Sequence, residues 1–490
     1  MTILDHSAKE AKRDVFVVHR EGLDLVQSPR HLDEVKLDTV WAAPSGVWGG
    51  SDEVTYRYQP KLVTSPVYNT DIHLCKPLED SADARTWLSA LMRMNSDITV
   101  AQMLGWFVAC MHKQYYQRAF NQFPLLHPNG AAGTGKTATT SLLGRLYHNT
   151  TRPQVMSCSG SASTPFMLKG AWTNSASIPL ILDEYKPSEL GPVRTDLLLQ
   201  LFRISYNQGL GGSGGISRGN GNGSYRDVTQ YAYSAPVAFM GESQEMQTAI
   251  VQRSLPVAFT PSGKDAHSPE FAIAEAGADF LPKLGNALLK MGMQETVESR
   301  RAAVQPHMDH LRATLDKHVH IRQVYNLSIV LAGLDFLDGT LRAIFGDAFR
   351  GDIDRLKDAV FTNKSDVAIQ AVNETAKVLN DLSLMSRTEE PDSEFAVREG
   401  YEYVMGDGHV EILLRESFVK YFAWCKRKGF SPLFSSVEAF TGALGKFDPV
   451  TDKLCLSSPL KRTGQSRVYR FNLDRLAAEG VEMFKSKAHD

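Results

Sequence analysis

The sequence predicts an α/β protein in which helices flank a parallel sheet, with a small β-containing N-terminal region, a helical lid and a separate C-terminal domain. Three observations lead there. Between residues 121 and 262 apolar strand-like runs alternate with helical stretches, the pattern of a parallel sheet covered on both faces. A glycine-rich turn, Gly130 to Thr137, lies between one such strand and one such helix. The chain's 490 residues, 43% hydrophobic, 22% charged and 9% aromatic, suffice for two to four domains at roughly 100 to 200 residues each. That composition excludes wholesale disorder and fibrous repeats.

The elements follow in order. Residues 1–80 hold short β-type runs, such as Val15 to His19 and Val54 to Tyr58, broken by Pro, Gly and Ser, and read as a β-containing region. Residues 81–120 turn helical, with Trp87, Leu88, Leu91 and Met92 on one face, and form a collar or linker. In the core, 121–262, strands are expected at Phe123 to Leu126, Ile178 to Leu182, Ala235 to Met240 and Leu255 to Phe259, and helices from Lys136 and over Val193 to Asn207. Residues 263–386 form a helical lid that includes the apolar-periodic run Val324 to Leu341. RTEEPDSEFAV, 387–397, is polar and acidic and reads as a linker.

The final 93 residues, 398–490, are the basic part of the chain. Residues 411–490 hold 14 Lys and Arg against 9 Asp and Glu, a net of +5, which leaves −7 for the rest of a chain whose total is −2. The segment GHVEILLRESFVKYFAWCKRKGFSP reads as a helix, SVEAFTGALGKF as another, and KRTGQSRVYRFN as a basic β-hairpin. Two helices and a basic hairpin suggest a winged-helix-like domain that grips duplex or forked DNA, with Lys426, Arg427, Lys428, Lys461, Arg462 and Arg467 on phosphates. The same architecture also serves protein–protein contacts.

The longest apolar stretches, around Ala101 to Met111 and Ser328 to Leu337, are about half of the roughly 20 residues a membrane span requires, so no membrane partner is expected. The charged start MTILDHSAKEAKRD carries no secretion signal, and a cytoplasmic location is the expectation. Cys75, Cys110, Cys158, Cys425 and Cys455 are odd in number, scattered and without a CxxC pair, which argues against a disulfide framework or zinc module.

Gly130-Ala131-Ala132-Gly133-Thr134-Gly135-Lys136-Thr137 fits the GxxxxGK[ST] pattern. There, backbone N–H groups wrap phosphate oxygens, helped by the N-terminus of the following helix, which Ala138 continues. Lys136 would reach the β- and γ-phosphates of ATP, and the Thr137 hydroxyl would bind Mg²⁺. Ile178 to Glu184 is an apolar run ending in two carboxylates. Strand alternation sends them apart, so that Asp183 orients Mg²⁺ and Glu184 polarises the attacking water. The strand Ala235 to Met240 ends in Gly241-Glu242-Ser243. Glu242, then Ser243, is the candidate γ-phosphate sensor; Ser243 also suits a helix N-cap. Arg253 ends the next helix and is the candidate arginine finger, supplied in trans to an adjacent subunit, or else a surface ion-pair former. Arg322, at the start of the run IRQVYNLSIVLAGLDFL, is the candidate second phosphate sensor, or a surface arginine.

In this order GxxxxGKT, ILDE, a polar strand tip and an arginine at a helix end resemble AAA+ ATPases. The phrases STPF, ILDE, APVAFMGES and QRSLPV look like the superfamily 3 helicases of phage and plasmid primase-helicases. The resemblance covers about residues 95 to 345, half the chain. One departure is the strand tip, where AAA+ proteins commonly carry Asn and this chain reads Gly-Glu-Ser. The resemblance implies a homo-hexameric ring with ATP and Mg²⁺ as cofactors. It implies translocation on single-stranded DNA, with a primase, polymerase or loader as further partners, in a bacterial or phage-infected host cell. It also implies a pore hairpin at GLGGSGGISRGNGNGSYRDVTQYAY, where Arg218 and Arg226 would hold phosphates and Tyr225 would stack on a base; the alternative is a flexible surface loop. Two other functions compete: a replication initiator whose tail binds duplex DNA, and a protein remodeller, which the glycine and arginine of the pore segment disfavour.

Overall fold

The computed structural model describes residues 3–4, 15–27, 37–50, 54–59, 70–149, 155–159, 164–186, 190–207, 210–217, 226–242, 248–315, 319–363, 374–387, 394–428, 432–434, 436–444, 449–452, 458–460, 468–478, 481 and 484. The chain divides into two units, 1–245 with 249–368, and 246–248 with 369–490.

The first unit opens with β1 (Ile3–Leu4), β2 (Val15–Val18), β3 (Gly22–Gln27), β4 (Leu37–Ala43), β5 (Gly46–Gly49) and β6 (Thr55–Tyr58). They form two sheets, ordered β1-β2-β6 and β3-β4-β5. This region is tied into the core. The Glu21 N–H donates to Asn174 O at 2.7 Å, Glu21 O accepts from Ala176 N at 2.8 Å, and Leu23 N donates to Ser177 Oγ at 2.8 Å. The docked segment 174–177 leads directly into the strand that ends in Asp183.

Three helices come next, α1 (Ala82–Leu91), α2 (Asp97–Cys110) and α3 (Lys113–Phe120). Ser81 caps α1 by accepting from Ala84 N. Helix α2 is buried on every side from Thr99 to Cys110, as an all-round apolar helix must be.

The core then builds the predicted sheet through β7 (Leu125–Asn129), α4 (Lys136–Gly144), β8 (Val155–Ser157), α5 (Pro165–Thr173), β9 (Leu180–Asp183) and α6 (Pro192–Tyr206). The hairpin β10 (Leu210–Ser217) and β11 (Arg226–Ala232) intervenes before β12 (Val237–Phe239), α7 (Thr248–Val251) and β13 (Ser254–Ala258). The strand order is β13-β7-β12-β9-β8, with every pairing parallel. All five carboxyl ends therefore share one edge, the edge where open α/β sheets bind ligands.

Helices α8 (Pro261–Ala266), α9 (Ser268–Ala276), α10 (Phe280–Gly292), α11 (Val297–Thr314), α12 (Ile321–Phe345) and α13 (Arg350–Thr362) complete the unit. Helix α12 lies backbone to backbone on α2, since a Cβ on Gly333 would stand 2.0 Å from Gly105 O. One hydrophobic core runs from Trp41 through Trp106, Leu126 and Val257 to Leu331 and Val360. A second, around Trp172, Leu182, Phe202 and Phe239, covers the other face of the sheet.

The second unit contains α14 (Glu374–Ser386), β14 (Tyr403–Gly406), β15 (His409–Leu413), α15 (Leu414–Lys428), α16 (Val437–Leu444), β16 (Val450–Asp452), β17 (Val468–Asn472) and α17 (Leu473–Ala478). Its antiparallel sheet has the order β14-β15-β17-β16. Three expectations change here. Helix α14 packs its Val378, Leu379 and Leu382 into this unit's core, so the division falls before it, at 368/369, not at 387–397. The end of the expected linker is packed too, with Phe395, Ala396 and Val397 buried. The segment HVEIL is a strand, in which polar His409 and Glu411 alternate with apolar Val410 and Ile412, the period of two that a sheet requires. Strand β17 pairs with β15 and β16; residues 461–467 of the expected hairpin lie outside the described residues.

Candidate nucleotide site

At the end of β7 the chain turns back into α4. Gly130 adopts φ +145°, and a Cβ there would stand 2.1 Å from Phe259 O, a clash only glycine avoids. Gly135, at φ +93°, caps the N-terminus of α4. Lys136 is buried, and its Nζ donates to Gly130 O and Ala131 O at 2.7 Å each. Burial lowers its pKa, while the charges of Asp183 and Glu242 act in the opposite sense.

The two sequence motifs meet side chain to side chain. The Thr137 hydroxyl donates to Asp183 Oδ2 at 2.9 Å, and Asp183 Oδ1 accepts from Glu184 N at 2.8 Å. Glu184 has a left-handed backbone, φ +58°, and turns toward β8, where its carboxylate accepts from Ser157 Oγ at 2.5 Å and Ser159 Oγ at 3.0 Å. These bonds, Ser157's first, hold its carboxyl below the usual carboxylate range. One hydroxyl and one carboxylate suit Mg²⁺, which binds through one or two carboxylates plus substrate phosphates. Among the described residues no group of three or more His, Cys, Asp or Glu could hold a metal ion. Glu242, beyond the tip of β12, forms an ion pair with Lys186 at 3.0 Å. Ser243 lies outside the described residues.

A cleft of about 380 Å³ opens here, lined by Gly133, Thr134, Gly135, Lys136, Thr137, Ala138 and Thr139 on one side and by Met94, Asn95, Lys264, Ser268 and Phe271 on the other. The second wall escaped sequence reasoning, as did Ser157 and Ser159. These residues belong to no motif; the fold brings the second wall to the loop from the collar and from α8 and α9, and sets Ser157 and Ser159 against Glu184. A larger open cleft of about 770 Å³, lined by Asp97, Asp354, Arg355 and Asp358 among others, contains no phosphate-loop residue.

Arg253 and Arg322 stand together at the other edge of the sheet. Ser254 pairs with Leu125, the first residue of β7, so Arg253 is a strand's length, roughly 15 Å at 3.3 Å per residue, from the Gly130–Thr137 loop of its own chain. Its guanidinium donates to Ala249 O at 2.6 Å and covers the Tyr206 ring at 5.6 Å. Burial lowers its pKa, and the neighbouring positive charges of Arg322 and Arg203 add to that. Arg322 donates to Gln252 Oε1 at 3.2 Å, and one turn further on Asn326 Nδ2 donates to Gln252 O at 3.2 Å and Ser254 O at 3.3 Å. The start of α12 is thereby fixed at the amino end of β13. Arg322 therefore lies, like Arg253, at the edge of the sheet opposite the Gly130–Thr137 loop of its own chain.

Of the expected DNA contacts, Arg226 is the first residue of β11, and Lys426 and Arg427 are exposed on α15. Lys428 ends that helix. Arg218, Tyr225, Lys461, Arg462 and Arg467 lie outside the described residues. The hairpin itself is present, with Leu210 opposite Ala232 and Ser217 opposite Arg226. Among the described residues no helix is long and apolar enough to cross a membrane, and Cys75, Cys110, Cys158 and Cys425 are unbridged.

Fold and site together define an α/β protein with a glycine-rich loop at the carboxyl edge of a parallel five-stranded sheet. The fold is similar to that of a solved structure described as "SCCmec type IV Cch - active helicase", with a TM-score of 0.53 and 14% identity, covering 96% of this chain and 82% of that chain. At that identity the likeness concerns the fold, which does not by itself carry an activity. No protein-family profile matches the chain, and no curated protein matches it in sequence.

Proposed function

We propose that this chain is an ATP-dependent DNA helicase of the AAA+ type. It works as a ring, a homo-hexamer, translocating on single-stranded DNA and unwinding duplex during phage, plasmid or mobile-element replication. The observation that carries the reading is the Thr137–Asp183 contact, which joins two motifs 46 residues apart at one cleft. The solved helicase of similar fold supports it.

In this reading the loop amides of residues 130–137 and the ammonium of Lys136 bind the phosphates of ATP. Thr137 and Asp183 hold the accompanying Mg²⁺, which supplies charge neutralisation on the phosphates. Glu184, released from Ser157 and Ser159, accepts the proton of the attacking water. Glu242 senses the γ-phosphate beside Lys136. Arg253 serves the neighbouring subunit, because it is too far from its own loop to do otherwise. Loss of the γ-phosphate changes the packing between subunits and moves the β10–β11 hairpin, whose Arg218, Tyr225 and Arg226 grip the strand. The exposed cations of the C-terminal unit, including Lys426, contact forked duplex. A primase, polymerase or loader completes the replication assembly.

The test is ATP hydrolysis by Lys136→Ala. Turnover falls at least a hundredfold, the scale for removing one preorganised charge-stabilising donor; undiminished hydrolysis refutes the assignment.

A further inference from the structure

A second lysine reaches the phosphate loop from outside any motif. Lys264 Nζ donates to Gly133 O at 2.9 Å, across the mouth of the cleft whose wall it shares with Phe271 and Asn95. Its backbone position is set by the loop's own foundations. Phe259 N donates to Asn129 O at 2.7 Å, immediately before Gly130, and Thr260 starts α8 by accepting from Gly263 N at 3.1 Å. The short helix is thus anchored to the base of the loop, and Lys264 sits one turn beyond the anchor. In the structure the ammonium groups of Lys136 and Lys264 both rest on carbonyl oxygens of that loop, those of Gly130, Ala131 and Gly133. An anionic phosphate oxygen is a stronger partner for an ammonium than a neutral carbonyl.

We infer that Lys264 is a second phosphate-binding cation of the nucleotide site, exchanging the Gly133 carbonyl for an oxygen of the β- or γ-phosphate when a nucleoside di- or triphosphate binds. The assignment rests on the nucleotide reading above and adds a recognition element from α8 to it. Lys136 approaches the phosphates from the floor of the loop and Lys264 from its open side. The bond to Gly133 O is thereby a latch between α8 and the loop that bound nucleotide rearranges.

The test is equilibrium binding of ATP, ADP and AMP to the full chain, with the ligand-induced melting shift as a second readout. The variants are Lys264→Ala, Lys264→Glu and Lys136→Ala. Lys264→Ala weakens ATP and ADP by about tenfold to a hundredfold, the scale of one charge-assisted hydrogen bond. It leaves AMP within twofold and reduces the ATP-induced melting shift, while the ligand-free melting temperature stays at the wild-type value because the side chain is exposed. Lys264→Glu weakens ATP further. If Lys136→Ala loses ATP while Lys264→Ala binds it within twofold of wild type, the nucleotide reading stands and the Lys264 assignment is overturned. If AMP weakens as much as ATP, the lysine acts on the cleft's shape and the assignment is likewise overturned. If the wild-type chain binds no nucleotide, both fall.

Discussion

Gly130→Ala tests the packing that forms the phosphate loop. A Cβ on Gly130 would stand 2.1 Å from Phe259 O, more than 1 Å inside contact. The obstacle is backbone, the same strand end that carries α8, so it cannot swing aside as a side chain would. Forced overpacking costs about 1–3 kcal/mol, and an L-residue at positive φ costs roughly 1–2 kcal/mol more, for a loss of about 2–5 kcal/mol. Gly135→Ala is the matched control. It also has positive φ, +93°, but nothing within 4 Å of an added Cβ, so only the conformational cost of roughly 1–2 kcal/mol applies. Thermal melts of both variants, with and without ATP, measure the difference. Gly130→Ala melts at least about 1 °C below Gly135→Ala, because a unit spanning 1–245 with 249–368 shifts by only about 1 °C per kcal/mol at roughly 2.1 cal/mol/K of unfolding entropy per residue, and it loses most of the ATP-induced shift. Equal melting of the two variants, or a Gly130→Ala variant that melts like wild type, refutes the argument.

Two further outcomes are expected. Arg253→Ala binds ATP within a few-fold of wild type but hydrolyses it at least about a thousandfold more slowly, the lower end of what an arginine finger contributes. Mixing it with Lys136→Ala restores turnover above either alone, whereas a residue acting on its own nucleotide gives no recovery. The double variant Ser157→Ala with Ser159→Ala removes the bonds that hold the Glu184 carboxyl low. A base with a depressed pKa stays ionised to lower pH, so removing its donors raises that pKa and moves the acid limb of kcat/KM upward. A pH–rate profile that does not move, or moves downward, contradicts the part given to Glu184.

The core of the fold was readable because its signals are local. The apolar runs at β7, β9 and β12 give way at once to a glycine or a carboxylate, at Gly130, Asp183 and Gly241, and the pattern Gly130 to Thr137 contains within itself the residues that force the turn. What escaped depends on long-range packing. Arg322 looks like a lid residue by its place in the chain, yet Asn326 ties its helix to Gln252 O and Ser254 O, at the far edge of the sheet. Lys264, Met94 and Asn95, which face the loop, and Ser157 and Ser159, which bond Glu184, carry no signature of their own and gain their positions only from the fold. Strand β15 was missed for a different reason. Its alternation of His409 and Glu411 with Val410 and Ile412 runs without a break into the helix at Leu414, and the stronger helical period absorbed it. The buried Phe395 to Val397 shows the same weakness, since acidic and proline-containing neighbours hide an apolar anchor.

The central claim is that ATP turnover at this cleft drives movement along single-stranded DNA. The most direct measurement is the ATP hydrolysis rate of the full chain at low salt, without DNA, with single-stranded DNA and with blunt duplex. The account predicts stimulation by single strands and not by blunt duplex. Turnover that ignores single strands, or responds only to particular duplex sequences, contradicts it and favours an ATPase that acts as a switch in replication initiation.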